Sequence, residues 1–160
     1  MNAIERMSQD DWERYRDIRL RGLKDAPDAF WMTYDEEVEL AEERWRERLS
    51  SAATFVVVQA GDDVGVVTGA PYEGREGCAG LFGMWVASEA RGTGASIRLV
   101  GEVITWARAE GYLRLILDVA DENKAAIKLY ERMGFQPTGR TAHMPAPREH
   151  IREHERAFEL

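Results

Sequence analysis

At 160 residues, with 44% hydrophobic and 31% charged side chains, the chain has the composition of one soluble domain spanning 1–160, and no apolar run approaches the ~20 residues that cross a bilayer. The net charge of −8 lies wholly in residues 1–80, which carry 18 acids against 10 bases, while residues 81–160 carry 11 of each. That balance excludes nonspecific nucleic-acid binding, which needs Lys and Arg against phosphate, and an N-terminus that is charged and lacks an apolar centre predicts no signal peptide and a cytoplasmic protein.

Ser8 and Asp11 have capping-box spacing, and Trp12, Tyr15 and Ile18 form one stripe, which predicts a helix from about Gln9 to Lys24 that ends at Asp25-Ala26-Pro27-Asp28. A second helix is predicted from about Asp35 to Leu49, with Val38, Ala41, Trp45 and Leu49 on one face. Between them Phe30-Trp31-Met32-Thr33-Tyr34 is too aromatic for an ordinary linker. The β-branched run TFVVVQA (54–60), the turn Gly61-Asp62-Asp63 and VGVVTGA (64–70) read as an antiparallel hairpin. PYEGREG then leads to a third strand, AGLFGMWV (79–86). Cys78, the lone cysteine, cannot form an internal disulfide and has no neighbours that would make it a nucleophile or ligand.

From Gly94 the pattern turns helical, with Leu99, Val100, Val103, Ile104 and Ala107 at three- and four-residue spacing and Gly111 closing the helix. LRLILDV (113–119) reads as a strand, Asn123 to Arg132 as a short helix, and Gly134-Phe135 opens the last strands, with HERAFEL (154–160) supplying the final one. Strands and helices in this order predict a mixed sheet with helices on its faces.

The stretch EARGTGASIRLV (89–100) joins the third strand to the third helix. Unpaired amides at a helix start, with the positive end of the helix dipole behind them, form an anion site, and glycines at 92 and 94 allow close approach. Arg91, Arg98, Lys124 and Lys128 are at hand for outer phosphates. A P-loop would need Gly-Lys-Ser/Thr here, and a dinucleotide fingerprint would need a small residue where Ile97 stands, so neither fits. A lone glycine pair also serves as a bare strand-to-helix turn. His150 and His154 are spaced four apart, but with only His143 besides them they make no metal motif and read as exposed polar positions.

Two blocks together resemble the GNAT family of N-acetyltransferases. One is Arg91-Gly92-Thr93-Gly94-Ala95-Ser96 after the strand ending in Val86, with Ser96 where the family has Gly or Ala; the other is Asn123 followed by Leu129-Tyr130-Glu131-Arg132-Met133-Gly134-Phe135. The likeness is strong over residues 81–138. It implies an α/β fold with a mixed, mostly antiparallel sheet of six or seven strands, about four helices and a splayed strand pair. It also implies that acetyl-CoA binds with its pyrophosphate on residues 91–96, and its pantetheine between the strand carrying Met84, Trp85 and Val86 and the strand carrying Leu117 to Val119.

Acetyl transfer to an amine needs a free nitrogen lone pair, a donor for the carbonyl oxygen and a proton for the leaving thiolate. Asn123 and Tyr130, seven residues apart, share one side of a helix. Tyr130 suits protonation of the thiolate, Asn123 suits binding of pantetheine or an ordered water, and the Val86 amide is the expected oxyanion donor. Some family members place a glutamate on the strand that here reads LFGMWV, which has no acid. The candidates for the base are therefore Asp118, Asp35, Glu36 and Glu37, or a chain of waters. The resemblance assigns Phe30, Trp31 and Tyr34, with Trp85 opposite, to the acceptor site, and Asp118 is a further candidate there. Aromatic walls beside the acid-rich half suit a cationic amine, in a small molecule or peptide. A module that binds acetyl-CoA without catalysis is the alternative, and a homodimer is common in such proteins.

Overall fold

The computed structural model describes residues 2–160. In chain order these form β1 (Asn2–Arg6), α1 (Trp12–Asp25), α2 (Tyr34–Val38), α3 (Glu42–Ser51), β2 (Ala53–Gln59), β3 (Asp62–Pro71), β4 (Cys78–Val86), α4 (Ala95–Ala109), β5 (Arg114–Ala120), α5 (Lys124–Met133), β6 (Gln136–His143) and β7 (Arg152–Glu159), with 3-10 turns at Gln9–Asp11, Pro27–Ala29 and Ser88–Ala90. The seven strands lie in the order β1-β2-β3-β4-β5-β7-β6, and every pairing is antiparallel except β4 with β5. This is the mixed sheet that the order of elements implies, and mostly antiparallel as the family resemblance implies. No helix among the described residues is long and apolar enough to cross a membrane.

Helices cover both faces. Toward one face, α4 turns Leu99, Val100, Val103, Ile104 and Ala107 inward, all of them buried, and each of the four larger side chains contributes about 1.5–3 kcal/mol by leaving water. Gly69 on β3 allows this close approach, since a Cβ there would lie 2.7 Å from the Trp106 ring. Toward the other face, α1 buries Tyr15, Ile18 and Leu23, and Gly22 lets the rings of Trp85 and Phe30 pack against the α1 backbone. Residues 85 and 86 of β4 thus point to opposite helices, Trp85 to α1 and Val86 toward Gly65 and Leu99 on the α4 side.

Two elements differ from the sequence pattern. Residues 2–6 form an edge strand against β2, from Asn2↔Gln59 to Arg6↔Phe55. The predicted second helix is divided in two, with α2 ending at Val38 and α3 beginning at Glu42. The break reorients the chain so that Glu37 is buried and Val38 is 40% exposed, while Trp45 and Leu49 keep their predicted inward face.

The sheet opens at its centre. β4 and β5 pair only through Cys78↔Arg114, Ala79↔Leu115 and Gly80↔Ile116. Beyond Gly80, β4 runs to Val86 against β3 alone, and beyond Ile116, β5 runs to Ala120 against β7 alone. The register of β4 against β3 slips between Trp85↔Val66 and Phe82↔Thr68, leaving an extra residue on β4 where Gly83 takes φ 60°. Such a bulge bends and twists its strand, here in the stretch of β4 that no longer pairs with β5.

Candidate active site

The glycine turn sits at the open end of this cleft. Gly92 and Gly94 hold φ of +77° and +84°, with nothing within 4 Å of where a Cβ would stand, so backbone twist and not crowding requires glycine. Gly94 is the N-cap of α4 and no side chain caps the helix, which leaves the amides of its first turn free for an anion. Thr93 and Ser96 flank these donors, and Ala95 is buried beneath them.

The basic residues near the turn are mostly committed to the protein. Arg91 Nε donates to the Val86 carbonyl (3.2 Å) and its Nη2 to Asp25 Oδ2 (3.2 Å), fastening the loop to β4 and α1. Arg98 Nη1 donates to the Asn2 carbonyl (2.7 Å), while Asn2 Nδ2 reaches Thr93 Oγ1 (3.2 Å) and Thr93 donates to Ala90 O. The edge strand β1 therefore buttresses the turn. Lys124 Nζ donates to Asp121 O (2.9 Å), and Lys128 alone of the four has no partner among the described residues.

The free edge of β4 offers backbone donors. Ala87 N–H donates to Val64 O on β3 (2.8 Å), and strand alternation turns the Val86 N–H the other way, into the cleft. Asn123 caps α5, its side-chain oxygen accepting from Ala126 N–H (3.2 Å), so its amide NH2 stays available. Tyr130, on the same side of α5, is 5% exposed and packs edge-on to Phe135 at 5.7 Å. Its hydroxyl has no hydrogen-bond partner among the described residues, and burial raises its pKa well above the ordinary phenol range.

Across the sheet, toward α1 and α2, lies an acidic and aromatic wall. Trp31 is 53% exposed, and its indole N–H donates to Glu153 Oε1 at 2.6 Å. Arg148 holds the Trp31 segment by donating to the carbonyls of Pro27 (2.9 Å), Phe30 (2.7 Å) and Trp31 (2.7 Å). Phe30 and Trp85 are buried against α1, with the Trp85 indole N–H on Asp25 Oδ2 (3.0 Å). Tyr34 is half-buried under Lys24, whose Nζ is 5.1 Å from the ring centre.

Asp118 accepts from Tyr72 Oη at 3.2 Å, and Tyr72 in turn stacks on Phe82 at 6.1 Å. The Asp118 side chain is exposed, and partial desolvation by its neighbours, with the Glu155 charge, raises its pKa only against the opposing hydrogen bond from Tyr72; burial also pushes the half-buried Tyr72 phenol up to about 12. Burial raises Glu153 as well. Burial works to raise Glu155 too, but its bonds to Arg75 and Thr138 prevail and hold it low.

Of the remaining candidate acids, Glu36 and Glu37 are engaged by the protein. Asp35 is exposed, and Glu36 closes a capping box with Thr33. Glu37 is no solvated carboxylate: it is 0% exposed and bonded to both Arg19 and Arg48. His154 is not an exposed position either, since its side chain is 20% exposed and hydrogen-bonds Asp121 at 2.8 Å. Sequence reasoning missed Tyr72, Phe82, Arg148 and Glu153. Only Tyr72, an aromatic inside the glycine- and glutamate-rich PYEGREG, carried a local signal.

Arg148→Ala removes three charge-assisted hydrogen bonds, each contributing about 1.5–3 kcal/mol. Hydrogen exchange of the amides in residues 27–33 should then accelerate at least tenfold, on the order expected for the loss of one such bond, while β2 and β3 stay protected.

Comparison with known proteins agrees with this layout. Residues 4–135 match the Acetyltransferase (GNAT) family. Over 100 residues the chain is 38% identical to a mouse protein named probable N-acetyltransferase family 8 member 5, covering 59% of this chain and 44% of that one. Over 147 residues it is 28% identical to human N-acetyltransferase 8B, covering 84% of this chain and 54% of that one. The matched stretches thus span about half the length of these relatives. In fold it is similar to a GNAT acetyltransferase from Streptococcus pneumoniae (TM-score 0.85, 21% identity, 100% of this chain and 99% of that one). It is also similar to a ribosomal-protein-alanine N-acetyltransferase from Brucella melitensis (TM-score 0.76, 23% identity, 99% of each chain). With the family matched from β1 to the end of α5 and the cleft, glycine turn and capped α5 in the places the motifs assign, the chain belongs to the GNAT acetyltransferase family.

Proposed function

We propose that this chain is an N-acetyltransferase that binds acetyl-CoA and a primary amine together and passes the acetyl group directly between them. The observation that carries the reading is the cleft: β4 and β5 part after Gly80 and Ile116, and the uncapped N-terminus of α4 stands at its open end. The donor set fits the ligand. The free amides after Gly94 suit a diphosphate, the unpaired edge of β4 suits the amides of pantetheine, and the NH2 of Asn123 offers a further donor.

Acetyl-CoA would supply an activated acyl carbon. The protein would supply the rest. The Val86 N–H faces the cleft as a donor to the carbonyl oxygen as charge builds on it, and Tyr130, held protonated by burial, donates a proton to the departing sulfur. The acceptor is a cationic amine, of a small molecule or a peptide, because Asp118 and Glu153 stand among Trp31, Tyr72 and Phe82 on one face of the sheet.

Calorimetry with acetyl-CoA, followed by thiol release across a panel of amines, tests the reading. Cationic amines should be preferred, and a clear preference for acidic or neutral acceptors would count against the acceptor assignment. Gly94→Val places a β-branched residue at φ +84° and misdirects the amides of the first turn of α4. Each charge-assisted amide bond lost costs about 1.5–3 kcal/mol, so affinity for acetyl-CoA should fall at least tenfold. Unchanged affinity in that variant would remove the turn from the site. Binding without thiol release from any amine would favour a module that holds acetyl-CoA without catalysis.

A further inference from the structure

Arg152, His154 and Arg156 alternate along β7 with Glu153 and Glu155, so their side chains share one face of the sheet. Together they hold both ends of α5, the helix that Asn123 caps and that carries Tyr130. Ahead of the helix, Asp121 has one carboxylate oxygen 2.8 Å from His154 Nδ1 and accepts from Arg152 Nε at 2.6 Å on the other, while its backbone N–H donates to Arg152 O (2.9 Å). At the far end, Arg156 Nη2 donates to Glu131 Oε1 (3.1 Å) and Nη1 to the Phe135 carbonyl (3.0 Å). One further hydrogen bond joins the two attachments, from Arg156 Nε to His154 Nε2 at 3.0 Å.

That bond fixes the proton on the ring. A guanidinium has no lone pair to offer, so Nε2 is the acceptor, the imidazole is neutral, and its hydrogen sits on Nδ1, where it is donated to Asp121. The charges agree with this direction. A carboxylate stands before the start of α5 and a guanidinium at its end, each beside the helix-dipole end of opposite sign. The hydrogen bonds from His154 and then Arg152 also hold the Asp121 carboxyl below its ordinary range.

The far attachment reaches Tyr130. Phe135 N–H donates to the Tyr130 carbonyl (2.9 Å), and the two rings meet edge-on at 5.7 Å, so a shift of Phe135 passes to Tyr130 through backbone and ring alike. Arg156 is 7% exposed, which leaves water little room to replace its bond to His154.

Resting on the acetyltransferase reading, we propose that His154 is a positioning residue, which as the Nδ1–H tautomer links the start of α5 to Arg156 and so keeps Tyr130 aimed at the departing sulfur. With either half of the link gone, one end of the helix loses its hold on the other.

Nitrogen-15 NMR of the free protein at the pH of the assay reads the tautomer, the His154 signals being identified by their loss in His154→Gln. Nδ1 should carry the proton and Nε2 should be bare; a proton on Nε2 overturns the proposal. Two substitutions then divide the link. His154→Asn keeps a donor near Nδ1 but stops short of Arg156, and His154→Gln reaches Arg156 but leaves Asp121 without its donor. Assayed well below their melting temperatures, both should lose about tenfold or more in kcat, the scale of a small misplacement of a catalytic group, while acetyl-CoA affinity stays within about threefold because the glycine turn is untouched. Added to Tyr130→Phe, either substitution should cost little more, since the effect acts through Tyr130. Wild-type kcat in either single variant, even one that melts lower, or a full further loss in the double variants, reduces His154 to a structural residue and overturns the proposal while leaving the acetyltransferase reading in place. A wild type that neither binds acetyl-CoA nor releases thiol overturns that reading and the positioning with it.

Discussion

Replacing Glu37 by alanine is expected to destabilise the fold by about 3 kcal/mol, near the lower end of the cost of removing one partner of a buried ion pair. Its carboxylate is 0% exposed and receives Arg19 Nε at 3.0 Å, Arg19 Nη2 at 2.9 Å and Arg48 Nη1 at 2.9 Å. Without it, two guanidinium groups are left facing each other at the junction of α1, α2 and α3. The side chains of Arg19 and Arg48 are 14% and 24% exposed, which lets them turn partly toward water and keeps the loss from being larger. Glu37→Gln should do no better, because its NH2 would point at a guanidinium. Burial works to raise the Glu37 pKa, but the bonds and charges of Arg19 and then Arg48 outweigh it and hold the carboxyl below its usual 4.5. A pKa depressed on folding stabilises fully above the unfolded value and is lost as pH falls through the folded one. In chemical denaturation the wild type should therefore keep its full advantage over Glu37→Ala at pH 7, and that advantage should shrink below about pH 4.5. A pH-independent difference would mean that packing, and not charge, is what alanine removes.

The same junction shows where the sequence was legible and where it was not. The glycine turn could be read because positive φ is a local demand that only glycine meets cheaply, and residues 92 and 94 both adopt it. The end of α5 was legible for the same reason, Gly134 standing there at φ 102°, while Asn123 caps its start through its side chain. The break between α2 and α3 has no Gly or Pro to announce it. Apolar spacing through Val38, Ala41, Trp45 and Leu49 continued smoothly, whereas the residue the fold buries is the charged Glu37. Its burial depends on Arg19, eighteen positions away, and no helical period records that. β1 was hidden similarly, because an edge strand paired with residues 55–59 needs few apolar side chains, and here only Ile4 and the neighbouring Met7 join the core. The acidic and aromatic wall was least legible of all. Trp31 meets Glu153 across 122 positions and Tyr72 meets Asp118 across 46, so the contacts exist only once β5 and β7 are paired and Arg148 has fastened the loop.

Tyr130→Phe is expected to lower kcat about a hundredfold, within the range for losing a positioned general acid, while acetyl-CoA affinity stays within about threefold of the wild type. The substitution keeps the ring and its edge-on contact with Phe135 at 5.7 Å. The hydroxyl makes no hydrogen bond to a described residue, so its removal leaves no protein group unpaired, and stability should change by less than about 1 kcal/mol. Packing and chemistry are thus separable at this position. Burial raises the phenol above its ordinary 10.0, so in the proposed mechanism Tyr130 acts as a proton donor and not as a base. A pH profile distinguishes a proton donor here from a base. In Tyr130→Phe any acid limb should survive at reduced height, because the substitution does not touch the group that takes the amine's proton, and no alkaline limb should appear or vanish near pH 10. Turnover equal to the wild type would exclude Tyr130 from the reaction and leave solvent to protonate sulfur. An alkaline limb near pH 10 that disappears in the variant would show the phenol ionising as if exposed, contradicting the 5% exposure on which its role as an acid depends.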